Sequence, residues 1–308
     1  MRKQHSHLPV NDAGVRLADA LAAGYSLDAV KRDVRAGRLS RPHRGLVTAP
    51  GDKPDLARLR AAMHHVGPES MAVIRSSALL HGLQGVPHAL PPQIAVPPGL
   101  EKRQRAGIDL HFWDLAEDEL TNVDGLSCTR PTRTLADACR LLPRMEGVSL
   151  VDSALHLHMI GLDDLDAIAA MMRRRRHCVA GRSVLRLARP GAQSPLETRV
   201  RVIATDAGLP PDALQVPVLD CDGMILGYAD MGYRLPNGGL LAVEADGVAV
   251  HSLPDALLHD RRRQNAFMSS AGVFAVRFTW ADTRTPAYIP SVLRPLLMTA
   301  GWEPPRRS

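Results

Sequence analysis

Leu240-Leu241-Ala242-Val243-Glu244-Ala245-Asp246-Gly247-Val248-Ala249-Val250-His251, continuing through Asp260 to Arg261-Arg262-Arg263, carries the densest structural signal in the sequence. An apolar run of strand length ends in two acids spaced i, i+2 and an Asp-Gly turn signal. Side chains alternate across a sheet, so Glu244 and Asp246 leave the strand on the same face. Upstream, Gly227-Tyr228-Ala229-Asp230 sets another acid near the end of a preceding strand. A hard cation such as Mg²⁺ (or Mn²⁺) needs only one or two carboxylates, with waters and phosphate oxygens completing its shell. Asp230 and Glu244 are the metal candidates, and His251 is placed to take a proton from a metal-activated water. The plain alternative is a strand that ends in solvated acids.

These residues resemble a known family. Asp230, Glu244-Ala245-Asp246-Gly247, His251, Asp260, Arg263 and Gly272-Val273-Phe274-Ala275-Val276-Arg277-Phe278 are similar to the very-short-patch-repair-like endonuclease domain of the PD-(D/E)xK superfamily, over about 194–297. The resemblance implies a restriction-endonuclease-like α/β core with Asp230 and Glu244 on the metal and His251 in proton transfer. It also implies Glu197, in Ser194-Pro195-Leu196-Glu197, as a helix acid near the metal. Asp246 stands where the superfamily has a lysine, which leaves the general base open between Asp246 and His251. Arg261 and Arg263 become DNA-contacting residues; Arg277 either binds phosphate or pairs internally with an acid.

The opposite end of the chain carries most of the charge. Positions 1–50 hold nine Lys/Arg against four Asp, so they supply +5 of a net +6. Val15 to Leu21 reads as a short helix, Ala23-Gly24-Tyr25 as a turn, Ser26 as the N-cap of a second helix to Arg35, and Leu39 to Val47 as a β wing. In a winged helix-turn-helix the second helix enters the major groove. Ser26, Lys31, Arg32 and Arg35 are then the DNA-contact candidates, with Arg38, Arg41 and Arg44 on the wing. Gly24-Tyr25-Ser26, Gly37-Arg38-Leu39 and Arg41-Pro42-His43-Arg44-Gly45-Leu46-Val47 are similar to the N-terminal winged helix of AbiEi-type antitoxins. That likeness implies a transcriptional regulator binding operator DNA and working with a toxin partner, the alternative to a nuclease.

Between these ends the pattern alternates helix and strand, giving an α+β middle region that also looks AbiEi-like. Val123 to Thr129 reads as one strand, and helices are expected over 133–142, 149–158 and 162–172. The histidines there (His81, His111, His156, His158) have no metal spacing and read as structural. Arg173-Arg174-Arg175-Arg176 follows as the densest charge run, either a solvated helix end or a track for DNA phosphates. The expected architecture is an α/β multidomain chain: a winged helix-turn-helix at 1–50, a middle region at 51–190, the endonuclease-like core at 191–302 and a tail at 303–308. A 33.4 kDa chain with 45% hydrophobic residues has room for such cores. Nothing approaches a membrane span or signal peptide, so a cytoplasmic protein with no membrane partner is expected. Four scattered cysteines support neither zinc nor disulfides. One active centre nicks one strand, so double-strand cleavage calls for a homodimer.

Overall fold

A computed structural model describes residues 15–43, 46–48, 54–100, 107–220, 222–247 and 272–304. The chain divides into two compact units, Met1–Ala138 and Cys139–Ser308. Together they form an α/β protein with ten helices among the described residues.

The first unit opens with β1 (Val15–Arg16), α1 (Leu17–Ala22), α2 (Leu27–Arg35), β2 (Ser40–His43) and β3 (Leu46–Thr48), the strands lying in the order β1-β3-β2. Val15 and Arg16 pair with Val47 and Leu46, so they are strand, and the first helix begins two residues later than its periodicity suggested. Ser26 caps α2 by accepting a hydrogen bond from the Ala29 amide at 3.1 Å. Ala20, Val30, Leu39 and Val47 close a small core beneath.

There follow α3 (Pro54–Val66), β4 (Met71–Ala72), α4 (Ile74–Leu80), β5 (Gln93–Val96), β6 (Asp109–Phe112), β7 (Leu120–Val123), β8 (Leu126–Thr129) and α5 (Pro131–Leu141). The five strands make a mixed sheet of order β6-β5-β4-β8-β7. The single strand expected over 123–129 is instead the second half of a hairpin. Asp124 (φ 50°) and Gly125 (φ 81°) both adopt the left-handed conformation that a two-residue turn with the twist of its strands requires. His81 has the structural role expected of it, its Nε2 lying 2.8 Å from the Thr129 carbonyl.

The second unit comprises α6 (Arg144–His156), α7 (Asp164–Met171), α8 (Cys178–Leu185), α9 (Pro195–Asp206), β9 (Ala213–Leu219), β10 (Ile225–Arg234), β11 (Leu240–Ala245), β12 (Val273–Phe278) and α10 (Tyr288–Thr299). Its sheet runs β12-β11-β10-β9, antiparallel except for the parallel pair β11 and β12. One face carries Met231, Tyr233, Leu241 and Val243 against Leu196, Val200 and Ile203 of α9 and Ile289, Leu293 and Leu297 of α10. Burying apolar surface on this scale is what anchors the sheet.

The division at 138/139 falls well before the boundary expected at 190, and a buried ion pair shows why α6 to α8 go with the sheet. Asp152 on α6 accepts from Arg201 Nη2 at 2.6 Å and Thr198 Oγ1 at 2.7 Å, both on α9, and from the Arg189 amide at 2.7 Å. Arg201 also donates to the Leu187 carbonyl. Burial pushes the Asp152 carboxyl up, opposed by the Arg201 charge and these hydrogen bonds. Asp152→Ala would leave the Arg201 guanidinium buried without its counter-ion. The expected loss is about 3–5 kcal/mol, read as a lower urea midpoint, whereas a surface pair such as Arg144 with Asp206 should cost less than about 1 kcal/mol.

Candidate functional site

The site forms where β10 and β11 part. Their pairing runs from Arg234↔Leu240 to Met231↔Val243. One residue further, the Asp230 side chain takes over from the ladder, its Oδ2 accepting the Ala245 amide at 2.7 Å. A strand separation that would strand a backbone donor is thus closed by a carboxylate.

On the other side of β11 the parallel register sets Glu244 beside Arg277 of β12. Arg277 Nη2 donates to Glu244 Oε2 at 3.3 Å and Nη1 to Asp246 Oδ2 at 3.0 Å. One guanidinium therefore spans both acids, in agreement with their predicted placement on one face and with the internal-pairing reading of Arg277. Glu244 is only 6% exposed, and a carboxylate so deeply placed calls for partners of this kind. Asp246 also extends the ladder, its amide donating to the Phe278 carbonyl at 2.8 Å.

Glu197 joins from α9. Ser194 is the N-cap, accepting the Glu197 amide at 3.2 Å, and Pro195 begins the helix. Glu197 Oε2 accepts from the Gln193 amide at 2.8 Å and from Gln215 Nε2 at 3.2 Å. Burial pushes its carboxyl up to about 7; the Asp230 charge adds to this, while the hydrogen bonds of Gln193, Ser194 and Gln215 oppose it. Asp230 is thus the electrostatic link between Glu197 and the β10–β11 fork. Gln215, in β9 at φ 50°, is a site residue the sequence did not announce: nothing marks a lone glutamine in a strand.

Among the described residues no three His, Cys, Asp or Glu are gathered as a ready metal cage. The donor set of Asp230 and Glu244, hard oxygens on adjacent strands, fits Mg²⁺ or Mn²⁺, which retain several waters. His251, Arg261 and Arg263, like Arg44 at the other end, lie outside the described residues.

Of the DNA-contact candidates in the first unit, Arg32, Arg35 and Arg41 are exposed. The Ser26 hydroxyl is engaged in capping α2. Lys31 lies 3.8 Å from Asp28, a solvated pair, and Arg38 is held by Asp33 through Nη2 at 2.6 Å and Nε at 3.1 Å. The exposed basic face of α2 is therefore Lys31, Arg32 and Arg35, opposite the buried Val30.

No protein-family model matches the chain. Two uncharacterized proteins of Mycobacterium tuberculosis, from strains CDC 1551 / Oshkosh and ATCC 25618 / H37Rv, are each 29% identical to it over 241 residues, covering 75% of this chain and 82% of their own. A crystal structure of another Mycobacterium tuberculosis protein aligns at 18% identity over 59% of this chain and 77% of that one, with a TM-score of 0.32. Among the described residues no helix is long and apolar enough to cross a membrane.

The raised Glu197 carboxyl has a consequence for stability. Between its ordinary value of 4.5 and about 7 the folded state holds a proton that the unfolded chain has lost. The contribution of this group therefore falls as pH rises through that window, by up to about 3 kcal/mol, and stays lost above it. Glu197→Gln, whose amide oxygen can still accept from the Gln193 amide, should flatten thermal stability against pH between about 5 and 7 and exceed the wild type near pH 8. Parallel profiles for the two proteins would contradict the assignment.

Proposed function

We propose that the second unit is a metal-dependent endonuclease hydrolysing phosphodiester bonds in DNA, joined to a DNA-binding winged helix-turn-helix in the first unit. The observation that carries this reading is the convergence at one sheet end: Asp230 and Glu244 on adjacent strands where those strands part, with the largely buried Glu197 electrostatically coupled to Asp230. A buried carboxyl raised by burial and by a neighbouring acid is a mark of sites that handle protons or cations.

In this reading Asp230 and Glu244 hold Mg²⁺ or Mn²⁺. When bound, the ion supplies Lewis-acid polarisation of the phosphodiester and a more acidic water. Glu197, titrating near neutrality, holds or releases a proton beside Asp230. Asp246 orients the attacking water or, with His251, accepts its proton. Arg277 bridges Glu244 and Asp246 and holds both carboxylates in place. The repair-type resemblance and the helix, meander and returning parallel strand of this unit support the assignment. For the first unit the support is α2, with its exposed Lys31, Arg32 and Arg35, beside a three-stranded sheet. The protein would then act in the cytoplasm, nicking one strand as a monomer or cutting both as a homodimer.

Supercoiled plasmid with Mg²⁺ or Mn²⁺ tests the reading. Nicked circles should accumulate with the wild type, fall at least about 100-fold in rate for Asp230→Ala and Glu244→Ala, and disappear with EDTA. Intact plasmid under every metal, with duplex binding retained, would overturn it in favour of a regulator of the AbiEi type.

A further inference from the structure

The arginine run is not a helix end. α7 stops at Met171 and α8 starts at Cys178, and Arg173 to Arg176 make the turn between them. Arg174 (φ 60°) and His177 (φ 62°) both sit in the left-handed region, which side chains of this size rarely adopt. Backbone bonds tie the turn down: the Arg173 amide to the Ala170 carbonyl at 3.0 Å, Arg175 to Met172 at 3.1 Å and Cys178 to Arg175 at 3.3 Å. Underneath, Ile168, Met172, Val184 and Leu185 are buried. Gly181 permits the close packing, since a Cβ there would lie 2.5 Å from Met172 Sδ. The hairpin is thus a firm platform, and what it displays is charge.

From position 167 to 196 the sequence contains no Asp or Glu but seven arginines: Arg173, Arg174, Arg175, Arg176, Arg182, Arg186 and Arg189. All seven are exposed, and no carboxylate pairs with any of them among the described residues. Four of these cations lie between the C-terminal end of α7, whose dipole favours them, and the N-terminal end of α8, whose dipole is itself positive and where no side chain caps the amides. Seven exposed arginines with no carboxylate among them repel one another, and an anion supplied from outside relieves that repulsion. Arginine forks and free helix amides are both suited to phosphate oxygens.

We infer that the α7–α8 corner is a docking surface for the phosphate backbone of double-stranded DNA, gripping it without reading sequence. The inference rests on the DNA-acting function proposed above and supplies what the acidic sheet end lacks, an attraction for a polyanion. Through α6, which packs against both α8 and α9, the surface is built into the same unit as Glu197.

The test is fluorescence anisotropy of a labelled duplex with the full chain, titrated at several KCl concentrations. Replacing Arg173, Arg174, Arg175 and Arg176 together with Gln should weaken binding about 10- to 100-fold at low salt and reduce the slope of log K against log[KCl] by about 3–4, near 0.9 for each phosphate no longer neutralised. The matching fourfold Lys variant should keep most of the slope, which separates removal of charge from damage to the turn. A Gln variant with the wild-type slope and an affinity within about twofold would overturn the inference while leaving the nuclease reading intact. Wild-type protein that binds anionic vesicles but no duplex would overturn both. Plasmid cleavage abolished in Glu244→Ala, with the slope unchanged by that substitution, distinguishes the failure of one from the failure of the other.

Discussion

Burying a carboxylate is costly unless a cation or several donors stand beside it, and beside Glu244, which is 6% exposed, stands Arg277. Much of the second unit can be understood from the need to bring those two side chains together. They are 33 positions apart in the chain and meet because β12 returns parallel to β11 in the one register that sets Arg277 against Glu244. A shift of one residue would turn Arg277 to the opposite face of the sheet, into the apolar packing around Phe278. The register is in turn held by what lies beneath, where Val243 and Phe278 are nearly sealed from solvent.

The same alternation explains why acids accumulate at this end. Met231 and Val243 are the last paired residues of β10 and β11, and both point into the core shared with α9 and α10. The residues beyond them, Asp230 before Met231 in one strand and Glu244 after Val243 in the other, lie just past the paired ladder. There Asp230 satisfies the Ala245 amide that the parting strands would have orphaned. α9 brings its N-terminal end with Glu197, an acid position favoured by the dipole but burdened by burial and by Asp230. Each acid has a local structural reason, and together they set several carboxylates at one end of the sheet.

How legible this was depended on the range of the interaction. Ser26 and Ser194 precede their helices as capping residues do, and both caps form. Glu244 and Asp246 at i, i+2 share a face, as a pleated strand requires. The Asp124-Gly125 turn was written in the sequence too, but the apolar residues around it read as one continuous strand. α8 went unseen because Arg173 to His177 and Gly181 interrupt any periodic pattern. α10 was hidden by Pro290 and Pro295, although Ile289, Leu293 and Leu297 keep the i, i+4 spacing of a buried helical stripe. Beyond the reach of any local reading were the partnership of Asp152 with Arg201 and the approach of Gln215 to Glu197, which exist only once α6, α9 and β9 have packed.

Net charge proved a poor guide for a related reason. Residues 1–50 supply +5 of the net +6, which makes the rest look nearly neutral, yet the second unit alone sets 20 arginines against 17 Asp and Glu, a net +3. Seven of its arginines lie in or beside the α7–α8 hairpin, while Asp230, Glu244 and Asp246 lie at a sheet end, and α6 packs against both α8 and α9. At the sheet end Arg277 is in direct contact with Glu244 and Asp246. A unit that separates its charges in this way can attract an anionic polymer with one surface and still present oxygen ligands to a cation on another, which a uniform surface of the same net charge could not do.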